Sequence, residues 1–274
     1  MPFRKVHLAA ATLTASVVAA FASDVTPASY FQSRIGEQRT VPLPDGSTIT
    51  LNTDSQLRVW GTESHLRADL LRGEALFDMK ANPKRHLTVY AYDLELIDQG
   101  TIFDVRLVTD RTVSVIVQDG IVRVIASGGE ARITLRENQQ TTLDNASTGA
   151  TLRTRNISSH TIQHQLSWRR GVLDFDCIKL ADAIDEINRY NSLHMEIEGT
   201  ILGDDRISGA GFSPTDPTLF AKTAAALIPN LTWKLSQRHA NQPSALQLRQ
   251  ISPPSVANSA HHRCTPQDPR ADDR

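Results

Sequence analysis

The stretch Val41-Pro-Leu-Pro-Asp-Gly-Ser-Thr-Ile-Thr-Leu-Asn52 decides the fold, because a tight turn in it leads directly into a strand. Pro44 fixes φ at the first turn position and Gly46 tolerates a positive φ, so Pro-Asp-Gly predicts a tight turn. The residues that follow, Thr48-Ile-Thr-Leu51, alternate polar and apolar side chains. An alternation of period two is typical of a strand with one buried face.

The same pattern continues on the C-terminal side, and residues 40 to about 143 show a strand period with no helical period. Further strands are expected at 56–60, 68–71, 75–80, 87–90, 94–98, 102–107, 113–117, 121–126 and 132–135. The clearest hairpin lies in residues 113–124, where Asp119-Gly120 suits a type I′ turn. Many short strands separated by turns predict a sandwich, a barrel or a β-solenoid, and the pattern does not choose among them.

After Trp168 the spacing of the apolar residues changes from the period of a strand to that of a helix. Leu180, Ala183, Ile184 and Ile187 follow the spacing of a helix buried on one side, which predicts a helix over residues 179–190. A second helix is expected over residues 217–228, and strands are expected at 171–175, 195–198, 206–212, 231–236 and 245–250. The order β-α-β-β-α-β-β predicts a small α+β module of one sheet and two helices.

These patterns divide the chain into five segments. The divisions are 1–22, a signal peptide or membrane anchor; 36–144, a β-rich domain; 145–166, a polar linker; 167–250, the α+β module; and 251–274, a disordered tail. The predicted fold class is therefore mainly β with a C-terminal α+β module.

The N-terminal segment has Arg4 and Lys5 ahead of an apolar run over residues 6–22 that ends in Ala-Phe-Ala-Ser. A positive start, an apolar centre and small residues at the end are typical of a cleaved signal peptide. The run is slightly shorter than the roughly 20 residues that a membrane-spanning helix needs. Cleavage and retention as an anchor both remain open, and both place residues from about 23 onward across a membrane.

Composition limits the function further. The net charge is −1 and the pI about 6.8, so no basic surface indicates nucleic acid binding. Cys177 and Cys264 are far apart and lack metal-type spacing. A disulfide between them is chemically allowed in an oxidising compartment, and two separate thiols is the other possibility.

No residue pattern predicts catalysis. His160 and His164 are four residues apart but lie in the expected linker, and His261-His262 with Cys264 lie in the expected tail. Asp204-Asp205 suits a turn and Asp216 suits a helix N-cap. A nucleophile elbow, a phosphate loop and a dinucleotide fingerprint are missing from the sequence. We therefore expect a non-enzyme without cofactor or metal.

Several segments together resemble the FecR family, the iron-dicitrate-type regulators of bacterial cell-surface signalling. They contain the turn-strand stretch quoted above, then Gly-Glu-Ala-x-Phe, Gly-Thr-x-Phe-x-Val, a later Gly-x-Val, Trp-x-x-Gly, Asn-Arg-Tyr and Ile-Ser-Gly. In this chain they are residues 41–52, 71–77, 99–105, 117–124, 168–175 with Leu180, 188–190, and 207–209 with Phe212. They occur in this order across residues 36–250.

The resemblance implies a periplasmic sensor arm. A β-solenoid or sandwich-like FecR domain would be followed by a module similar to the short N-terminal (STN) domains of secretins and TonB-dependent receptors. Its implied partner is the signalling domain of an outer-membrane siderophore receptor, and its indirect target is an extracytoplasmic-function (ECF) sigma factor. The partner-binding candidates at motif positions are Trp168, Phe175, Arg189, Tyr190, Gly209 and Phe212.

The sequence departs from the family pattern at its start. The family usually has a cytoplasmic anti-sigma domain before the membrane span, whereas this chain has only residues 1–5 there. Either the recorded start is too late, or the protein acts entirely in the periplasm. A soluble periplasmic binding or scaffold protein with the same fold is therefore the alternative function.

Overall fold

The computed structural model describes residues 26–62, 64–82, 84–98, 100–126, 131–146, 149–198, 205–228, 231–236 and 245–250. The predicted signal or anchor segment 1–22 and the predicted tail 251–274, with Cys264, lie outside these residues, as does Asp204. None of the helices in the described part of the chain is long and apolar enough to span a membrane.

The N-terminal part of the described chain forms two seven-stranded sheets, here called sheet A and sheet B. Sheet A contains, in spatial order, β1 (Thr26–Gln32), β4 (Gln56–Gly61), β5 (His65–Arg72), β7 (His86–Ala91), β8 (Leu94–Asp98), β11 (Ile121–Ala126) and β12 (Arg132–Arg136). Sheet B contains β14 (Gly149–Asn156), β13 (Gln139–Ala146), β10 (Thr112–Asp119), β9 (Ile102–Leu107), β6 (Glu74–Asp78), β3 (Thr48–Leu51) and β2 (Arg39–Pro42).

One apolar core lies between the two sheets. Ile49 and Leu51 of β3 reach it from sheet B, and Leu57 and Val59 of β4 reach it from sheet A. Buried and partly exposed residues alternate along β3, because successive side chains of a strand point to opposite faces. The chain forms one or two strands in each sheet before crossing to the other, which gives a solenoid-like course. The predicted mainly-β fold is confirmed.

The predicted turn after Val41 is also present. The Leu43 N–H donates to the Ser47 carbonyl at 2.8 Å, and Gly46 has a φ of 82°. The Asp45 carboxylate accepts from the Ser47 N–H at 3.0 Å and from the Ser47 hydroxyl at 2.9 Å. Arg85 contacts the same carboxylate at 2.5 Å. The turn joins β2 to β3, which pair antiparallel.

The hairpin predicted at residues 113–124 is wrong. β10 pairs with β9 and β13 in sheet B, whereas β11 pairs with β8 and β12 in sheet A. Asp119-Gly120 is therefore the corner at which the chain crosses between sheets. Gly120 has a φ of 87°, which both a corner of this kind and a hairpin turn can require. The local sequence therefore did not distinguish a corner from a hairpin.

Where a linker was expected, at 145–166, the structure has the end of β13, then β14 and a helix, α1 (Ser159–Gln165). β14 pairs along its whole length with β13 at the edge of sheet B. Its residues 151–156 are mostly exposed, so it lacks the apolar alternation that identifies a strand. The Ser158 hydroxyl caps α1 by accepting from the Thr161 N–H at 3.1 Å.

The C-terminal module follows a 3₁₀ turn at Ser167–Arg170. Its elements are β15 (Leu173–Lys179), α2 (Leu180–Asn188), β16 (His194–Glu198), β17 (Arg206–Phe212), α3 (Pro217–Leu227), β18 (Leu231–Ser236) and β19 (Ala245–Gln250). This order confirms the predicted β-α-β-β-α-β-β succession. The expected single sheet is wrong, because the described strands form a pair, β15-β17, and a trio, β16-β19-β18. α2 and α3 contact strands of both sheets and share one apolar core with them.

Candidate docking surface

β17 provides an open strand edge on the C-terminal module. Among the described residues it pairs only with β15, so its other edge lacks a strand partner there. Arg206, Ser208 and Ala210 are exposed along it. An edge strand offers unpaired N–H and C=O groups to a further strand. This edge can therefore pair with a further extended segment.

Apolar surface accompanies the edge. α3 contacts β17 and carries Leu219 and Leu227, which are 51% and 49% exposed. The helix begins at a well-formed cap, because the Asp216 carboxylate accepts from the Leu219 N–H at 2.8 Å. Pro217 occupies the first turn, where its missing N–H costs nothing. β17 with these two leucines is called the docking edge below.

Three aromatic rings support the docking edge from inside. Phe212 of β17 packs on Phe175 with ring centroids 5.3 Å apart, and on Phe220 of α3 at 5.4 Å. Gly209 lies under the Phe212 ring, because a Cβ there would come within 2.7 Å of its Cε2. Gly209, Phe175 and Phe212 therefore hold β17 in place from behind its exposed edge.

The β15-β17 pair is irregular at Cys177. This residue has a φ of 51°, which is uncommon for a residue with a side chain, and the register of the pair shifts between Phe175 and Ile178. The Ser208 hydroxyl accepts from the Cys177 N–H at 2.8 Å, and Arg206 donates to the Cys177 carbonyl at 2.6 Å. Cys177 is also disulfide-bonded.

A buried polar cluster joins the C-terminal module to the two-sheet domain. We call Asn52, Glu74, Glu186, Arg189 and Tyr190 the inter-domain cluster. Arg189 donates to the Glu74 carboxylate at 2.5 Å and to Glu186 at 2.7 Å. The Asn52 amide donates to Glu74 at 2.9 Å and to the Tyr190 hydroxyl at 2.7 Å. The Glu74 side chain is only 4% exposed, so its ion pair with Arg189 is a buried one.

Charge in the inter-domain cluster is set by burial and by the arginines. Burial alone would raise the pKa of Glu74, but Arg189 and Arg106 outweigh it and hold that pKa below its ordinary value. Burial lowers the pKa of Arg189, but Glu74 and Glu186 raise it by more, so the pKa lies above its ordinary value. The pKa of Tyr190 rises because of burial and the two glutamates. Glu74 and Arg189 of this cluster therefore stay charged and form an ion pair, and the cluster is not a proton-transfer site.

Asp104 of β9 lies beside this cluster and behaves differently. Burial and repulsion by Glu74 raise its pKa well above the ordinary value, against the opposing effect of Arg106. Its Oδ1 is buried without a hydrogen-bond partner. A buried carboxyl in this position keeps its proton more readily than an exposed one.

Apolar contacts extend the junction. Leu76 and Ile116, on the face of sheet B turned away from its main core, belong to the same apolar cluster as the C-terminal module. Trp168 in the 3₁₀ turn is 1% exposed, and its carbonyl accepts from the Gln38 side chain. The Thr53 hydroxyl donates to the Arg189 carbonyl at 3.0 Å. The two parts are therefore joined through a packed interface.

A polar cleft of about 510 Å³ also opens at this junction. Gln118 and Asn138 line it from the two-sheet domain, and Gln163 and Arg169 line it from α1 and the 3₁₀ turn. Arg169 donates to the Gln118 side chain at 2.9 Å across it.

The six predicted binding residues fall into two structural groups. Trp168, Arg189 and Tyr190 lie at the junction between the two parts, whereas Phe175, Gly209 and Phe212 lie behind or on the docking edge. Direct contact of any of them with a partner stays a prediction. The sequence interpretation missed the roles of Asn52, Glu74 and Glu186. The first two lie in the quoted motifs at 41–52 and 71–77, and that was the signal the sequence offered for them.

Together, these observations define a two-part architecture: a double-sheet domain carrying a small α+β module that has an open strand edge among the described residues. Residues 30–123 match the family model described as FecR protein. The resemblance to the FecR family that the motifs indicated is therefore confirmed over these residues.

Two crystal structures of a candidate anti-sigma factor from Parabacteroides distasonis, at 2.50 and 1.65 Å resolution, have a similar fold. Each has a TM-score of 0.63 and 20% identity, covering 82% of this chain and 100% of that chain. This likeness establishes the shared fold. A comparison with curated proteins gave no significant match.

Proposed function

We propose that this chain is the non-catalytic periplasmic arm of a FecR-type signalling system. It binds the signalling domain of an outer-membrane TonB-dependent siderophore receptor and so controls an ECF sigma factor. The observation that carries the proposal is the docking edge, held at a fixed orientation by the inter-domain cluster. The FecR domain supports a regulatory role, as does a fold shared with a candidate anti-sigma factor.

The disulfide at Cys177 supports the periplasmic location. Disulfides persist in oxidising compartments such as the bacterial periplasm and are rare in the cytosol. The predicted signal or anchor at residues 1–22 agrees with export.

Docking by β-augmentation explains how such an edge binds a partner. An extended segment of the receptor domain adds to β17, main-chain hydrogen bonds supply affinity, and Leu219 and Leu227 give apolar contact beside it. The hydrogen bonds need backbone N–H groups that are available on the open edge, so a proline there removes a donor.

The test compares Ala210→Pro with Ala210→Val, since Ala210 is exposed and lies between the register positions of Gly209 and Phe212. The probe is the purified signalling domain of a TonB-dependent receptor from the same organism. We expect the proline variant to lose roughly tenfold or more in affinity, equivalent to about 1.4 kcal/mol. The valine variant, which keeps the N–H, should bind like the parent. Equal binding by all three proteins would overturn docking at β17.

A further inference from the structure

Two histidines lie side by side on α1, outside the docking edge. The Nε2 atoms of His160 and His164 are 3.1 Å apart, whereas their ring centroids are 4.2 Å apart. The rings therefore turn their Nε2 edges toward one another. The sequence placed this pair in an irregular linker, where two imidazoles would not be held together. The capped helix, anchored by buried Ile162, overturns that premise.

The two Nε2 atoms lie at hydrogen-bond distance from each other. The same separation also suits shared coordination of one metal ion, which would replace the shared proton. Two metal–nitrogen bonds of about 2.0–2.1 Å place their nitrogens about 3.3 Å apart at a tetrahedral angle and about 2.9 Å apart at a right angle. The observed 3.1 Å lies between these values. We propose that His160 and His164 chelate a divalent transition-metal ion of the Cu²⁺, Ni²⁺ or Zn²⁺ type, with water in its remaining positions.

The surroundings suit two protein ligands. The Asp176 carboxylate of β15 lies 3.9 Å from His160 Nδ1, which is too far for a hydrogen bond but close enough to favour a positive charge at this site. The His160 side chain is 41% exposed, which leaves room for coordinated water. Within the described residues no group of three or more His, Cys, Asp or Glu is arranged to hold a metal, so the site is a two-histidine chelate.

Imidazole ligands favour these ions over Mg²⁺ or Ca²⁺, and affinity among them should be highest for Cu²⁺. Because both ligands lie on α1, a bound ion would stabilise that helix, which contacts β10 of the two-sheet domain and β15 of the C-terminal module. The site is independent of receptor binding, so either proposal can fail without the other.

The experiment titrates the full chain, freed of metal with a chelator, with Cu²⁺, Ni²⁺ and Zn²⁺ in separate calorimetric runs. His164→Gln should weaken binding by at least about tenfold, because it removes one arm of the chelate. His86→Gln is the matched control, since His65 and His86 form another close pair with ring centroids 5.8 Å apart. A His261→Gln/His262→Gln variant separates binding by the C-terminal segment. Both controls should bind like the parent.

Electron paramagnetic resonance of the Cu²⁺-loaded parent gives a readout that needs no variant. Coupling to two imidazole nitrogens is expected, falling to one in His164→Gln. Unchanged affinity in His164→Gln, or loss of binding only in the His261→Gln/His262→Gln variant, would overturn the proposal.

Discussion

At the scale of single residues, two buried acids near the junction lie in different environments, which shift their pKa values in opposite directions. Glu74 receives hydrogen bonds from Arg189 and Asn52, and its pKa is lowered despite burial. Asp104 lacks a hydrogen-bond partner at Oδ1, and burial together with Glu74 raises its pKa. The two carboxyls therefore divide the roles, with Glu74 as the charged partner of Arg189 and Asp104 as the group that holds a proton.

Asp104 gives the protein a pH-dependent stability with a definite sign. The native state keeps the Asp104 proton at pH values where the unfolded chain has released it. This contribution favours folding at low pH and is lost as the pH rises through the raised folded-state pKa. Asp104→Asn should therefore flatten the fall in unfolding free energy that the parent shows as the pH rises above the ordinary aspartate pKa of about 4, measured by urea unfolding. Asp110→Asn, on an exposed turn, should keep the parent slope. A parent-like slope in Asp104→Asn would contradict this assignment.

At the scale of elements, the corners between sheets A and B depend on close backbone packing. A Cβ on Gly120 would come within 2.5 Å of Thr101 Cγ2, and Thr101 is almost fully buried. Gly46, in the β2–β3 turn, has a similar φ of 82° with nothing within 4 Å of its missing Cβ. The two glycines share a conformation and differ in the space around them.

Comparing Gly46→Ala with Gly120→Ala separates strain from crowding. The first should cost about 1–2 kcal/mol in unfolding free energy, which is the penalty for a positive φ. The second should cost roughly 1–3 kcal/mol more, because Thr101 must shift in a packed corner. Chemical denaturation of both variants gives the difference, and equal costs would show that the corner relaxes without penalty.

How far the sequence predicted these elements depends on burial. β3, β8 and β11 were predicted at the bounds that the structure shows, because their alternation reflects one buried face. β14 was missed, since an exposed edge strand carries no such alternation. The β10–β11 corner resembles a hairpin locally, and only long-range pairing decides between them.

The candidate site was predictable in part. Motif residues marked both the docking edge and the junction, but one sequence cannot show that Glu74 and Arg189, 115 positions apart, form an ion pair.

At the scale of the whole molecule, the two parts share a continuous interface. The apolar core of the C-terminal module includes Leu76 and Ile116 of sheet B, and the inter-domain cluster lies beside it. An interface with a buried ion pair and apolar packing couples the stability of the parts it joins. We therefore expect the parent to unfold in one transition, with far-ultraviolet circular dichroism and tryptophan fluorescence giving coincident curves.

Arg189→Met tests this coupling, because it removes the cation and leaves the Glu74 carboxylate buried. Breaking a buried pair from one side costs about 3–5 kcal/mol, so the two probes should separate or the midpoint should fall sharply. Arg189→Met/Glu74→Gln removes both charges and should recover most of that loss. Arg72→Met breaks an ion pair whose side chains are 60% and 41% exposed, and it should cost no more than about 1 kcal/mol. If Arg189→Met cost no more than Arg72→Met, the inter-domain cluster would not hold the C-terminal module in place, and the fixed orientation of the docking edge would lose its structural basis.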